Sequence, residues 1–382
     1  MSFPIEKRKA PEGTEHIRRK LFLIFRINLQ PINSHLGRTI PVTDNVWEVP
    51  MSYLYVCEQG ASIRFEGNRF QVKYKDGLLK SVPAETLEMI EIFGNIQVTT
   101  QCMTECLKRG VNIIFYSTTG AYYGRLISTN HVNVGRQRKQ AYLDEGFKMQ
   151  LAKNIVDAKI RNQSVILRRY ARNQDQSVSD AIAAMMRLDR KIEGCTETDQ
   201  IMGYEGAAAR IYFEALGKLI NSEFHFEGRS RRPPLDPFNS MISLGYSIIL
   251  NEIYGKLEGK GINPYFGILH RDREKHPTLA SDLMEEWRAV LIDSTAMSIL
   301  NGHELNKNNF YRDENGPGIF LDKDGFKVYI KKLENKFHAD NKYLSYIDYR
   351  VSFRRALDLQ VNQLTRAIEE NEPSLYKPIL IR

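Results

Sequence analysis

The sequence has 382 residues, of which 42% are hydrophobic and 26% charged, an ordinary balance for a globular protein with a sizeable core. Its formal net charge of +8 permits binding to a polyanion but does not establish it. The four cysteines have neither the spacing of a zinc finger nor that of a disulfide framework, and no apolar run approaches the ~20 residues that cross a bilayer, so we expect a cytoplasmic protein without a membrane segment.

Residues 1–50 differ from the rest of the chain. They contain five prolines and basic clusters, and they show no sustained helical or strand period. Two interpretations are open: a mobile arm, or an upstream extension of a protein whose natural start is Met51. The run Ser-Tyr-Leu-Tyr-Val directly after Met51 is typical of the opening strand of a domain, which favours the second interpretation.

Residues 51–134 show short strands with turn residues between them. The turn Glu-Gly-Asn at 66–68 indicates a hairpin, and Gly110 stands where it would end a helix over 100–109. Period-two alternation and apolar runs predict the strands 53–57, 62–65, 70–74, 87–93 and 111–116. We therefore predict a small β-rich domain with one helix.

From residue 135 onward the apolar period changes from 2 to 3.6, which is the clearest domain boundary in the chain. Residues 318–333 resemble a hairpin around Asp324-Gly325. The sequence thus predicts an α+β protein in which the small β-rich domain is followed by a larger all-helical domain over 135–382. Its predicted helices are 151–172, 181–192, 205–220, 237–256, 279–300 and 346–370.

Three separate segments carry side chains that bind metals. Glu205 stands in the first turn of a predicted helix and is followed by small residues, which let a ligand come close. His270 ends an apolar run, and Asp282 and Glu285 are three residues apart on one face of a helix. Each alone has a plain structural interpretation: favourable placement at a helix start, a core histidine, and a solvated acidic face.

Together these residues form a mixed oxygen and nitrogen ligand set. Carboxylates suit hard divalent cations, an imidazole shifts the preference from Ca²⁺ toward Mn²⁺, and the absence of cysteine argues against structural zinc. Between them, the loop 226–239 holds Arg229, Arg231 and Arg232 beside two prolines. Forked guanidinium groups suit phosphate, although a solvated loop would have the same composition.

These segments, in this order, resemble the CRISPR-associated integrase family, the first Cas protein of spacer acquisition. The motifs are Gly-Tyr-Glu-Gly-Ala-Ala-Ala-Arg from Gly203, Arg-Arg-Pro-Pro-Leu-Asp-Pro-Phe-Asn from Arg231, Gly-Ile-Leu-His from Gly267, and Ala-Ser-Asp-Leu-Met-Glu-Glu-Trp-Arg from Ala280. The resemblance covers Met51 to about residue 345, and residues 1–50 have no counterpart in it.

The resemblance implies a metal site of Glu205, His270 and Glu285, with Asp282 as a further acidic residue at the catalytic centre. Two roles stay open for His270, which would either bind the metal or pass a proton. The metal would be Mn²⁺ or Mg²⁺. The last ligand is often aspartate in the family, so Glu285 departs from the pattern. The implied reaction is a transesterification in which the 3′-hydroxyl of a captured DNA fragment attacks a phosphodiester at the edge of the CRISPR repeat.

The resemblance also implies partners. They are double-stranded DNA, a second copy of the chain bound through the β-rich domain, and a smaller second Cas adaptation protein that completes a heterohexamer in a prokaryotic cytoplasm. The residues expected to contact phosphate are Arg229, Arg231, Arg232, Lys159 and Arg161.

Two rival functions use the same residues. A free metal-dependent nuclease acting on branched DNA would use water as the nucleophile. A catalytically silent DNA-binding scaffold would use the basic residues alone and leave the carboxylates structural. Calcium binding around Asp322 fails on spacing, because an EF-hand loop with Gly325 at its sixth position would place Lys331 where the bidentate glutamate belongs.

Overall fold

The computed structural model describes residues 23–24, 52–75, 77–171, 176–314, 316–344 and 346–382. Of the predicted extension 1–50, only Leu23–Ile24 falls within these ranges. These two residues form strand β1 and pair antiparallel with β2, Ser52–Val56, the strand expected after Met51. The other residues of the extension lie outside the described part of the chain.

A five-stranded sheet forms the centre of the N-terminal region, in the order β1-β2-β6-β8-β9. Its strands β2, β6 and β8 are parallel to one another, and β9 is antiparallel to β8. Both faces of the three parallel strands are largely buried, which explains the many apolar residues along them. The other strands of this sheet are β6 (Leu87–Phe93), β8 (Asn112–Tyr116) and β9 (Tyr122–Leu126).

A second sheet, in the order β5-β4-β3-β7, packs with α1 (Thr100–Arg109) against one face of the first. The predicted hairpin between β3 and β4 is confirmed: Gly67 and Asn68 have positive φ angles of 57° and 56°, as a tight two-residue turn requires. The prediction missed β5 and β9, which lack strict alternation. The strands are β3 (Ser62–Glu66), β4 (Arg69–Tyr74), β5 (Gly77–Pro83) and β7 (Gln97–Val98).

The opposite face of the five-stranded sheet packs on the helices, which form the main core. Most helices begin earlier or later than predicted. Side-chain caps account for two of these starts: Asp144 accepts from Phe147 N at 2.7 Å and Ser352 accepts from Arg355 N at 3.2 Å. The long helices are α2 (Val134–Ala141), α3 (Glu145–Tyr170), α4 (Gln176–Ile192), α5 (Thr198–Leu219), α6 (Pro237–Gly259), α9 (Lys323–Phe337) and α10 (Phe353–Glu370).

The predicted single helix over 279–300 is wrong. The structure has α7 (Thr278–Met284), a turn, a π-helical segment (Arg288–Asp293) and α8 (Ser294–Asn301). At this turn, consecutive side chains bond to different parts of the protein. Glu285 faces α3, whereas Glu286 bonds to residues near the C-terminus. Wide helical turns of this kind are frequent at functional sites.

The C-terminal region is mainly helical rather than all-helical. Two small sheets interrupt it: β10 (Phe310–Arg312) with β11 (Ile319–Leu321), and β12 (Asp340–Asn341) with β13 (Val351–Ser352). The predicted hairpin at Asp324-Gly325 is wrong, because these residues begin α9 and Asp322 caps it by accepting from Gly325 N at 2.6 Å. Within the ranges described, no helix is long and apolar enough to span a membrane.

Candidate active site

The structure brings two of the three predicted metal ligands, Glu205 and Glu285, into contact with Lys159, and it places the third, His270, on a neighbouring loop. Lys159 lies on α3, Glu205 on α5, Glu285 directly after α7, and His270 in the loop between α6 and α7. The prediction that Glu205 stands in the first turn of its helix is wrong, since α5 begins at Thr198 and Glu205 is well inside it. Its carboxylate therefore faces neighbouring helices, and the dipole at a helix start does not explain its position.

The ammonium group of Lys159 lies between two carboxylates. Its Nζ forms an ion pair with Oε1 of Glu205 and stands 2.5 Å from Oε2 of Glu285. Lys159 is only 6% exposed, so its charge depends on these partners. Burial alone would lower the pKa of Lys159, but the carboxylates of Glu285 and Glu205 outweigh it and raise the pKa. The ammonium is therefore charged at neutral pH.

Glu285 lies against a second cation. Its Oε1 is 3.0 Å from Arg288, whose guanidinium stands over the ring of Tyr246 at 4.5 Å from the ring centroid. Burial would raise the pKa of Glu285, but Arg288 and Lys159 hold it well below its usual range. Although Lys159 is close, Oε2 of Glu285 is buried and accepts no hydrogen bond of good geometry from the described residues.

Asp282 organises the loop that carries His270. One oxygen, Oδ2, accepts the backbone N–H groups of Ile268 at 2.7 Å and Leu269 at 2.9 Å. The other, Oδ1, contacts the backbone nitrogen of His270 at 3.2 Å and its Nδ1 at 2.6 Å. This hydrogen bond is the main reason that the pKa of His270 is raised, against the effect of burial. Because Nδ1 is held by Asp282, Nε2 is the ring nitrogen left for a ligand.

Asp282 and Glu285 therefore have different roles even though they are three residues apart. Asp282 orients His270, while Glu285 turns toward Lys159 and Glu205. A cavity of about 880 Å³ opens beside His270, between the α6–α7 loop and the residues that precede and begin α5. The site thus combines a buried charged cluster with space for a larger molecule.

The donor chemistry of this cluster fits a divalent cation. Glu205 and Glu285 supply carboxylate oxygens that converge on one positive charge, and His270 has an oriented ring. In the conformation described, however, the ammonium of Lys159 stands between the carboxylates. Across residues 52–382, within the ranges that the structure covers, no three His, Cys, Asp or Glu side chains are grouped closely enough to hold a metal.

The arginine-rich loop before α6 has a defined shape. Asp236 caps α6 by accepting from Asn239 N at 2.7 Å. The side chain of Asn239 holds the loop, because its Oδ1 accepts from Arg229 at 2.8 Å and from Ser230 N at 3.0 Å. Arg229 is thereby partly buried, with its guanidinium 5.5 Å from the ring centroid of Tyr246. Arg231 and Arg232 are exposed.

Two residues expected to contact phosphate lie elsewhere than the sequence suggested. Lys159 is held between Glu205 and Glu285 and is not at the surface. Arg161 is exposed, but it is paired with Asp157 at 2.7 Å and lies 3.5 Å from Asp189. The burial of Lys159 had a signal in the sequence, since apolar residues three and four positions before it place it on the inner face of α3. Arg288 ends the motif that begins at Ala280, but nothing in the motif indicated its contact with Glu285, and no pattern indicated Tyr246.

Comparison with known proteins identifies the family. The sequence profile described as "CRISPR associated protein Cas1" matches residues 54–335. The chain belongs to the Cas1 family. A CRISPR-associated endonuclease Cas1 of Mycobacterium tuberculosis is 36% identical over 326 residues, which cover 85% of this chain and 96% of that protein. The match to the family profile begins at residue 54, after the predicted extension 1–50.

Solved Cas1 structures share the fold. A chain of a Cas6-RT-Cas1–Cas2 complex superposes with a TM-score of 0.76 at 25% identity, covering 91% of this chain and 37% of that longer one. A Cas1 protein of Thermotoga maritima superposes with a TM-score of 0.72 at 21% identity, covering 83% and 97% of the two chains. The mixed fold, with its sheets in the N-terminal region, is thus a Cas1 fold.

Proposed function

We propose that this chain is the metal-dependent DNA integrase of CRISPR adaptation, which joins the 3′-hydroxyl of a captured DNA fragment to the CRISPR repeat by transesterification. The observation that carries the proposal is the convergence of Glu205 and Glu285 on one cation beside an oriented His270. Membership of a family whose curated members are named endonucleases supports chemistry at phosphodiesters.

Glu205, Glu285 and His270 are the residues that would hold Mn²⁺ or Mg²⁺. When bound, such a metal stabilises the charge that develops on the phosphoryl oxygens. Arg288 keeps Glu285 ionised and fixes its direction. Asp282 holds His270 so that Nε2 faces the ligand, a support that metal-binding histidines commonly have.

The basic residues around the site would position DNA. Arg231 and Arg232 are exposed, and Arg229 on the same loop is held by its hydrogen bond to Asn239. We therefore assign these three arginines to contacts with phosphate groups. Arg161 could reach phosphate only by leaving its contacts with Asp157 and Asp189, and it is the weaker candidate. Such contacts position the duplex without reading its sequence.

For assembly, we propose a homodimer formed through the β-rich region 51–134, with the helical region 135–382 carrying catalysis. The similarity to a chain of a Cas6-RT-Cas1–Cas2 complex supports a small second Cas protein as the partner in a heterohexamer with double-stranded DNA.

The rival function is a free nuclease that uses water as the nucleophile. The observation that supports it is that the relatives are named endonucleases.

A joining assay separates these functions. Purified chain, with and without the small partner, is incubated in Mn²⁺ or Mg²⁺ with a short duplex and a supercoiled plasmid that carries a repeat array. The variants are wild type, Glu205→Gln and, as a matched control, Glu370→Gln, whose carboxylate is exposed at the end of α10. Joining that requires metal and is lost only in Glu205→Gln supports the integrase. Cutting without joining supports the nuclease, and DNA binding with neither reaction supports a scaffold.

A further inference from the structure

We infer that Lys159 is an internal substitute for the metal: its ammonium holds Glu205 and Glu285 together in the metal-free protein and must leave the space between them when a divalent cation binds. The inference depends on the proposed metal site and adds to it a residue of this chain that competes with the metal. Lys159 would therefore set the affinity of the site for metal.

The geometry of the ammonium group is the first support. Nζ contacts Glu205 and Glu285 at once, so it occupies the space that a cation shared by the two carboxylates would fill. Lys159 and Glu285 are almost fully buried, with side-chain exposures of 8% and 5%, so water cannot screen the pair of negative charges. Without a cation between them, the two carboxylates would repel each other.

The balance of charge is the second support. Two carboxylates face two cations here, Lys159 and Arg288, and only Glu285 contacts both. A divalent ion added beside an unmoved ammonium would give excess positive charge in a buried site. If the ammonium leaves, the metal faces two carboxylates and the imidazole of His270, and Arg288 continues to hold Glu285.

The type of residue is the third support. A lysine carries a compact point charge on a flexible stem of four carbons, so its charge can move without disturbing α3. An arginine would bind the carboxylates through a planar fork and would be harder to displace. Within the described residues, Oε2 of Glu285 contacts the ammonium and accepts no hydrogen bond from any other donor, so Lys159 is the one partner that a metal would have to replace there.

The chain offers a matched control in Lys256. This lysine is also largely buried and lies between two carboxylates, 2.7 Å from Asp358 and 3.6 Å from Glu252, but away from His270 and Glu205. A change at Lys256 therefore reports what is lost when any buried lysine of this kind is removed. Only a change at Lys159 should alter the binding of metal.

The test is calorimetric titration of Mn²⁺ into the full-length protein, with thermal unfolding in EDTA measured in parallel. Compared are wild type, Lys159→Met, Lys159→Arg, Lys256→Met and Glu205→Gln. We expect Lys159→Met to unfold at a lower temperature in EDTA and to bind Mn²⁺ at least tenfold more tightly than wild type. Lys159→Arg should bind no more tightly than wild type, and Lys256→Met should lose stability with unchanged affinity for Mn²⁺.

The outcomes distinguish this inference from the proposed metal site. Equal or weaker Mn²⁺ binding by Lys159→Met, with saturable binding by wild type, overturns the inference alone. Absence of saturable binding by wild type, or unchanged binding by Glu205→Gln, overturns the metal site and the inference with it. If Lys159→Met is unfolded in EDTA, refolding at Mn²⁺ concentrations below half-saturation of wild type supports the inference, and failure to refold in Mn²⁺ overturns it.

Discussion

Two buried clusters in this protein contain the same types of charge but use them differently. The Lys159 cluster consists of Lys159, Glu205 and Glu285, and the Arg354 cluster consists of Arg354, Glu252 and Glu334. In the second, the guanidinium of Arg354 donates to every carboxylate oxygen of its two partners at 2.8–3.2 Å. The hydroxyl groups of two tyrosines on β2 donate to the same carboxylates.

The difference shows how a charged cluster becomes either a support or a site. The Arg354 cluster is saturated with hydrogen bonds and joins β2, α6, α9 and α10, and its guanidinium stacks 3.5 Å from the ring centroid of Tyr53. The Lys159 cluster has a compact cation, an oxygen without a well-aligned donor and an oriented histidine nearby. Saturation favours stability, and incomplete saturation permits exchange of the cation.

The largest expected effect is on the saturated cluster. Replacing Arg354 by Met leaves Glu252 and Glu334 buried without their shared cation, and we expect a loss of about 3–5 kcal/mol in the free energy of unfolding. Urea denaturation measures it. The triple variant Arg354→Met, Glu252→Gln, Glu334→Gln should recover most of the loss, because no unpaired charge remains. Changed Mn²⁺ affinity in a folded Arg354→Met protein would show that the two clusters are not independent.

A third buried carboxylate, Glu286, differs from those of both clusters because its hydrogen-bond partners are neutral. It accepts from the hydroxyl of Tyr376 at 2.5 Å, the amide of Gln360 at 2.6 Å and the N–H of Ile379 at 2.9 Å. Burial raises its pKa from 4.5 to about 8. The folded protein thus keeps a proton on Glu286 that the unfolded chain releases near pH 4.5. The protonated carboxyl therefore makes its full contribution to the free energy of unfolding below pH 4.5, and this contribution is lost as the pH rises toward 8.

Glu286→Gln should remove this dependence on pH. Between pH 5 and pH 7.5, we expect wild type to lose about 3 kcal/mol of stability that the variant retains, at about 1.4 kcal/mol per pH unit. Denaturation at several pH values measures the difference. The exposed-site variant Glu370→Gln shows whether loss of any carboxylate has the same effect. Parallel pH profiles for wild type and Glu286→Gln would contradict a protonated Glu286.

A smaller effect, on joining activity, is expected at Asp282, whose carboxylate orients the proposed metal-binding residue His270. Asp282→Asn should lower joining activity about 10- to 100-fold, the usual result of removing the support of a metal-binding histidine. Since the hydrogen bond to Asp282 is the main cause that raises the pKa of His270, that pKa should fall in the variant. An NMR titration of the imidazole without metal measures it. An unchanged pKa would assign Asp282 to loop structure alone.

The smallest effect is expected at the surface. The double variant Arg231→Ala, Arg232→Ala should weaken binding to duplexes of any sequence and reduce the slope of log affinity against log salt by about 2. Fluorescence anisotropy at several salt concentrations measures both. Arg366→Ala, an exposed arginine paired with Glu370, is the control. A slope equal to that of wild type would exclude the two arginines from phosphate contact.

Much of the fold could be predicted because local patterns determine it. The hairpin at Gly67-Asn68 and the helix ended by Gly110 depend on positive φ angles that turn residues accept, and Gly110 has a φ of 73°. The change to a π-helical segment after α7 could not be predicted, because the apolar helical period continues through it. Glu285 and Glu286, where the α-helical hydrogen bonds end, bond to residues on α3 and near the C-terminus.

Part of the candidate site could also be predicted, because local motifs contain its residues. Motif order identified Glu205, His270 and Glu285 as residues that meet, and the structure brings the two glutamates to one cation. The apolar period indicated that Lys159 lies on the inner face of α3, but it did not indicate that its ammonium is the cation shared by Glu205 and Glu285. That contact depends on the packing of α3 against α5.

Anomalous X-ray diffraction from Mn²⁺-soaked crystals would locate the metal and Lys159 in one experiment. We predict a manganese peak near Glu205, Glu285 and His270, with Nζ of Lys159 moved from between the carboxylates. A peak elsewhere in the protein, or a Lys159 that still bridges Glu205 and Glu285 at full manganese occupancy, would contradict this prediction.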